Sequence, residues 1–135
     1  MATRPARQRG SASSPEANDF PIEEGSGYFV LAVAPPPTGE WAVSGPQFTQ
    51  AVALDLVVGL NLISVPLSSV GATDAASLAE AIADQGSNAA QVIRWSSASQ
   101  SFLLWSASSP EANIFGVGSA EGCFVLVTTA GQVSP

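Results

Sequence analysis

The chain has 135 residues, of which 46% are hydrophobic and only 11% are charged, so it is long enough for one packed domain with a tail. It contains no lysine and no histidine, and its formal net charge is −7. These properties exclude imidazole-based catalysis, imidazole metal ligands and Schiff-base chemistry. They also argue against nucleic-acid binding, because an acidic surface repels phosphates.

Residues 1–10 are predicted to form a flexible leader. This stretch contains three of the four arginines of the chain, so everything after it is strongly acidic. The arginines favour contact with an acidic partner, including a second copy of the chain, but a solvated tail is the favoured interpretation. The four arginines are Arg4, Arg7, Arg9 and Arg94.

Residues 11–34 contain the first copy of an internal repeat. The octapeptide at 11–18 returns unchanged at 106–113, and 13 of 21 aligned positions are identical at a constant offset of 95. Residues 11–34 are termed the N-terminal copy, and 106–126 the C-terminal copy. Aromatic and branched residues predict a strand in the N-terminal copy. Its residues are Tyr28, Phe29, Val30, Leu31, Ala32 and Val33.

A proline-rich linker is predicted over residues 35–45. Three consecutive prolines, Pro35 to Pro37, favour an extended polyproline conformation that acts as a semi-rigid spacer. Trp41 follows this spacer and is interpreted as an anchor for the linker or for an interface.

Residues 46–135 are predicted to form one complete β-rich module. A short helix over 74–84 is indicated by apolar residues at helical spacing, with an N-cap at Thr73 or Asp74 and Gly86 as terminator. The fold class is therefore mostly β (α+β): a small antiparallel sheet, sandwich or barrel-like module of order ββαβββ, plus the extra N-terminal strand. The strands of the module are predicted at 50–56, 60–67, 91–95, 101–105 and 123–129.

One motif carries a resemblance to a known family. Residues 59–67 read Gly-Leu-Asn-Leu-Ile-Ser-Val-Pro-Leu, and residues 25–30 read Gly-Ser-Gly-Tyr-Phe-Val. The chain thus resembles a module repeated in bacterial secreted and cell-surface proteins, with motifs of the type Gly-Trp-Asn-Leu-Ile-Ser-Leu-Pro-Leu and Gly-Glu-Gly-Tyr-Phe-Val. Leu60 stands where the family has tryptophan. The resemblance implies an extracellular or cell-surface structural role without catalytic residues.

Few residues suggest chemistry. Cys123 is the only cysteine, so no internal disulfide forms, and it is interpreted as a buried thiol. Carboxylates alone suffice for a glycosidase, but caps and turns explain most of those present, so we expect no enzyme, no cofactor and no metal site. No apolar stretch reaches the length of a membrane span. The carboxylates considered are Asp55, Asp74, Glu111 and Glu121.

The tryptophans allow two interpretations. Trp95 and Trp105 flank the predicted hairpin, and burial in the core is the favoured role for such large side chains. The alternative is a sugar-stacking platform formed with Trp41.

The N-terminal copy suggests the function. An apolar strand without a module of its own needs a sheet edge. Three outcomes are open: it folds back on its own sheet, it adds to a neighbouring chain, or it stays disordered. We expect a non-catalytic extracellular structural module that forms a homo-oligomer head-to-tail by β-strand addition. The alternative function is a carbohydrate- or ligand-binding module of a secreted protein.

Overall fold

The computed structural model describes residues 20–23, 25–31, 34, 52–65, 71–118 and 121–134. The fold of these residues is mostly β, with two antiparallel sheets and one short helix. The predicted leader over 1–10 and the linker over 35–45 lie outside the described residues, as do Ala32, Val33 and Trp41.

Six strands and one helix make up the described elements, and each strand and the helix predicted for residues 46–135 overlaps one of them. The last short strand was not predicted. No helix of the described residues is long and apolar enough to cross a membrane. The elements are β1 (Leu54–Leu56), β2 (Gly59–Ser64), α1 (Ala75–Asp84), β3 (Asn88–Ser96), β4 (Ser101–Ser106), β5 (Gly122–Thr129) and β6 (Gly131–Val133).

The larger sheet has four antiparallel strands in the order β2-β5-β3-β4. Strands β3 and β4 form the predicted hairpin, and its turn contains Gln100 at a positive φ of 51°. Strand β5, which begins within the C-terminal copy, lies between β2 and β3. The C-terminal copy therefore supplies a central strand whose backbone is paired on both sides.

Helix α1 begins at a capping box. The carboxylate of Asp74 accepts a hydrogen bond from the Ser77 amide at 2.7 Å, and the Ser77 hydroxyl accepts one from the Asp74 amide at 3.0 Å. Hydrogen bonds from the Ser77 amide and hydroxyl lower the pKa of Asp74. Gly86 follows the helix at a positive φ of 87°. The buried face of α1 consists of Ala75, Leu78, Ala79 and Ile82.

The inner face of the four-stranded sheet builds the core together with this buried helix face. Because side chains alternate along a strand, the register assigns each row of residues to one face. One row across the sheet consists of Asn61, Val125, Val92 and Trp105, and the last three are buried. This burial defines the inner face, and neighbouring rows belong to the outer face.

A second, two-stranded sheet extends the core. Strand β1 pairs with β6 antiparallel, with Leu54 opposite Val133. Leu54, Leu56 and Val133 are buried in the same cluster as the helix. The side-chain amide of Gln132 also donates to the Asp55 carboxylate at 2.8 Å. Asp55 therefore has a structural partner on the surface of this small sheet.

Candidate interaction surface

The N-terminal copy lies against the edge of β2 in its own chain. Ser26 forms an antiparallel bridge with Ile63. Two backbone hydrogen bonds flank this bridge: the Ser64 amide donates to the Gly25 carbonyl at 2.9 Å, and the Gly27 amide donates to the Leu62 carbonyl at 3.4 Å. In the described residues this pairing is short, and it lies at the Ile63 end of β2.

Gly27 permits this close approach of the two backbones. A Cβ atom at this position would lie 2.8 Å from the Ile63 carbonyl oxygen, closer than real contacts allow. Its repeat equivalent, Gly122, has room for a Cβ, whose nearest neighbours would lie 3.9 Å away. Steric contact therefore requires a glycine at position 27 of the N-terminal copy but not at the equivalent position 122.

Aromatic contacts hold the residues on either side of the bridge. The Tyr28 ring stacks on Phe20 at 5.9 Å, and its hydroxyl accepts a hydrogen bond from the Glu23 amide at 2.8 Å. The Phe29 ring lies 5.5 Å from the ring of Phe124 on β5. Phe29 and Phe124 are equivalent positions of the repeat, so the two copies meet through the same residue.

Beyond the bridge the N-terminal copy is exposed. Phe29 is 59% exposed, Val30 is 70% exposed and Leu31 is 81% exposed. Residues 28–31 do not form a strand, so the predicted strand is wrong for its described residues, and the only bridge described in the N-terminal copy lies before it, at Ser26. The segment Tyr28–Leu31, here termed the exposed segment, is therefore an apolar stretch at the margin of the sheet.

The outer face of the four-stranded sheet is apolar. Arg94 is the single charged residue within the four strands, and the register pairs it with Leu103 in an inner-face row. An outer-face row consists of Leu62, Phe124, Ile93 and Leu104. A sheet face in contact with solvent usually carries polar or charged side chains. None of the 11 acidic residues of the chain lies in these four strands.

The hairpin places its two tryptophans differently. Trp105 lies in the core, 4% exposed, and its indole N–H donates to the Pro110 carbonyl at 2.9 Å. Trp95 lies on the outer face at the surface and packs edge-on against Phe102, with ring centroids 4.9 Å apart. Trp105 therefore cannot stack on a ligand, and Trp95 with Phe102 remains as the exposed aromatic pair.

A groove runs beside β4, at the margin of the sheet away from β2. Its volume is about 400 Å³, and three of its lining residues, Phe102, Leu103 and Leu104, belong to β4. The opposite wall is formed by residues 113–115, in which Asn113 has a positive φ of 55°. Ile114 of this wall is an exposed apolar side chain. No described strand pairs with β4 on this side.

An ion pair fixes the opposite wall of the groove to the sheet. The Arg94 guanidinium donates to both carboxylate oxygens of Glu121, at 3.0 and 2.8 Å, and lies 5.7 Å from the Phe115 ring centre. Glu121 also accepts from the Gly118 amide at 2.7 Å. These contacts position Phe115 next to β3 and β4.

The remaining candidates for chemistry are dispersed. Asp74 caps the helix, Glu121 pairs with Arg94, and Glu111 is exposed in a loop. Burial raises the pKa of the Cys123 thiol to about 12, so this group stays protonated and unreactive. Among the described residues no three acidic or thiol groups come together as a metal site.

The groove beside β4 was missed from the sequence, although one signal was present. Residues 102–104 read Phe-Leu-Leu, so the strand carries apolar residues on both faces instead of alternating. Such a run indicates that both faces have apolar surroundings.

Comparison with family models, with curated proteins and with solved structures gives no match for this chain.

Proposed function

We propose that the chain is a non-catalytic structural module of an extracellular or cell-surface assembly, and that it associates head-to-tail through its N-terminal copy. The observation that carries the proposal is the exposed segment. It leaves a bridge to β2 and then presents apolar side chains to solvent, with Leu31 81% exposed. An apolar segment at a sheet edge is the usual element of β-strand addition.

Burial of the exposed segment supplies the driving force. Phe29, Val30 and Leu31 are all more than half exposed. Complete burial of an apolar side chain contributes about 1.5–3 kcal/mol, so these three contribute roughly 3–6 kcal/mol for the parts now exposed. Ordering and association oppose this gain. The exposed segment therefore supports assembly at high local concentration, as in a surface layer or a fibre.

The charge distribution agrees with self-association. A chain of net charge −7 repels a second copy, and this repulsion is weakest where the contacting surfaces carry no acids. Neither the exposed segment nor any strand side chain of the outer face is charged. The low share of charged residues, 11%, also suits a module that packs against its own copies.

Light scattering coupled to size exclusion tests this function on the intact chain. We expect a mass well above the 13.7 kDa of one chain, and a fall to one chain mass for Val30→Asp. The matched control is Val58→Asp, because Val58 is similarly exposed, at 66% against 70%, but lies in the turn before β2. A monomeric native chain, or equal loss of assembly in both variants, would refute the proposal.

A second candidate function is favoured by the exposed Trp95–Phe102 pair. Aromatic side chains on a sheet face provide stacking surfaces for sugar rings, so the chain is alternatively a carbohydrate-binding module. Glycan-array binding that disappears in Trp95→Ala, with the circular dichroism spectrum unchanged, would favour this candidate. Absence of binding by the native chain at millimolar glycan would exclude it.

A further inference from the structure

The two margins of the four-stranded sheet differ in the described structure. The β2 margin is partly covered by residues 25–27 of the N-terminal copy. The β4 margin has no described strand beside it. Unpaired amide and carbonyl groups of an edge strand are satisfied by water or by another strand, so β4 is the open end of the sheet.

We propose that the groove beside β4 is the acceptor for the exposed segment of a second copy. This inference rests on the function proposed above and names the contact through which that assembly forms. The segment would lie along Phe102–Leu104, with residues 113–115 as the opposite wall. Its backbone would pair with the open side of β4, and its apolar side chains would cover the exposed Leu104 and Ile114.

The chemistry of the groove matches this occupant. Two of the three β4 residues in the groove, Phe102 and Leu104, are exposed apolar side chains, and so are Phe29 to Leu31 of the segment. Neither set contains a charge, so two acidic copies can meet there without placing carboxylates opposite each other. A basic partner would find no carboxylate among the residues lining the groove, which favours a second copy.

The geometry gives a continuous sheet. Residues 25–27 pair with β2 of their own chain, so a strand formed by the segment that follows would extend the β2 margin. If its free side pairs with β4 of the next copy, donor and acceptor lie at opposite margins of one sheet. Such a contact is heterologous, and repetition of it produces an open chain of copies unless the rotation closes a ring.

Mixing two variants tests the acceptor. Val30→Asp disables the donor and Leu104→Asp disables the acceptor, so each alone is expected to run at one chain mass. An equimolar mixture retains one intact donor and one intact acceptor, and it is expected to form a dimer of twice 13.7 kDa and nothing larger. Using aspartate at both positions prevents attraction between the two altered sites. Ile114→Asp, on the other wall, serves as a second acceptor variant, and Val58→Asp as the control.

The results separate this inference from the proposed function. If Leu104→Asp and Ile114→Asp assemble like the native chain while Val30→Asp does not, the acceptor lies elsewhere and the proposed function stands. If the folded variants stay monomeric when mixed, the pairing of this donor with this groove is refuted. A monomeric native chain refutes both.

A disulfide distinguishes addition from exchange of the segment. Ser26 and Ile63 form a non-hydrogen-bonded antiparallel pair, the geometry with the shortest Cα separation, so Ser26→Cys with Ile63→Cys can be oxidised. We expect an intrachain bond with assembly retained. A covalent ladder on a non-reducing gel would mean that residues 25–27 pair with β2 of a neighbour, which overturns the β4 acceptor. Ser26→Cys alone and Ile63→Cys alone are the controls, the second because Ile63 lies opposite the free thiol of Cys123 in the register of β2 and β5.

Discussion

The two copies of the repeat share most of their sequence and have different environments. Val125 of the C-terminal copy is 0% exposed, whereas its equivalent, Val30, is 70% exposed. The Phe-Val-Leu run of the C-terminal copy lies in β5, paired on both sides, while that of the N-terminal copy lies beyond a single bridge. The comparison shows that the same run forms a strand where two strands flank it and does not form one over residues 29–31 of the N-terminal copy.

The difference arises from neighbours and not from local preference. Strand β5 has β2 and β3 on its flanks and the buried face of α1 in the same core, so each of its inner-face side chains leaves water. In its described residues the N-terminal copy pairs its backbone with the end of β2 and contacts β5 through the Phe29 ring. A segment with strong strand preference but one short pairing remains a weak local element, because tertiary packing contributes most of the stability of a strand.

The largest expected effect separates the equivalent valines. Val125→Ala removes two methyl groups from the core and should lower the free energy of unfolding by about 2–3 kcal/mol, counting transfer and cavity terms. Measured below the concentration of assembly, Val30→Ala should change it by less than about 0.5 kcal/mol, since the side chain is 70% exposed in the single chain. Urea unfolding followed by tryptophan fluorescence measures both. Equal losses would mean that the N-terminal copy belongs to the same cooperative unit as β5.

A smaller effect is expected at the equivalent glycines. Gly27→Ala forces a Cβ against the Ile63 carbonyl and should weaken the bridge by about 1–2 kcal/mol, the scale of two backbone hydrogen bonds. Hydrogen exchange at the Ser64 amide, which donates to Gly25, should accelerate about tenfold. Gly122→Ala is the matched control and should leave this amide unchanged. Unchanged exchange in Gly27→Ala would show that the bridge does not protect the amide.

Local signals predicted most of the module. Asp74 as N-cap and Gly86 after the helix were correct because capping depends on neighbouring residues alone. Strand β6 was missed because Gly131–Val133 is too short to show a pattern, and its partner β1 lies far away in the sequence. Which face receives each tryptophan of the hairpin depends on register against β5, so core burial, the role favoured for both from the sequence, was correct for Trp105 and wrong for Trp95.

The candidate surface was predicted only in part, because part of it forms through contacts between segments that are separate in the sequence. The exposed segment stands out as a run of apolar residues, and the repeat shows that the same run occurs again within the β-rich module. The groove beside β4 combines Phe102–Leu104 with a loop about ten residues later, and Phe115 of that loop is held by the Ala75 amide and by the Arg94 guanidinium. Contacts of this kind depend on tertiary geometry, which periodicity does not contain.

The smallest expected effect concerns one of the four aligned positions at which the copies differ by a charge. Glu121 of the C-terminal copy corresponds to Ser26, and only Glu121 has an arginine partner in the described residues. Glu121→Ser gives the C-terminal copy the residue of the N-terminal copy. It should lower the free energy of unfolding by about 0.5–1 kcal/mol, since the ion pair is partly exposed. The loss should shrink in 1 M salt, where the Debye length is about 3 Å. The converse change, Ser26→Glu, should cost less because it breaks no ion pair. Unfolding curves that show the same loss for Glu121→Ser at low and high salt would assign its effect to the Gly118 hydrogen bond, and the charge would then not distinguish the two copies.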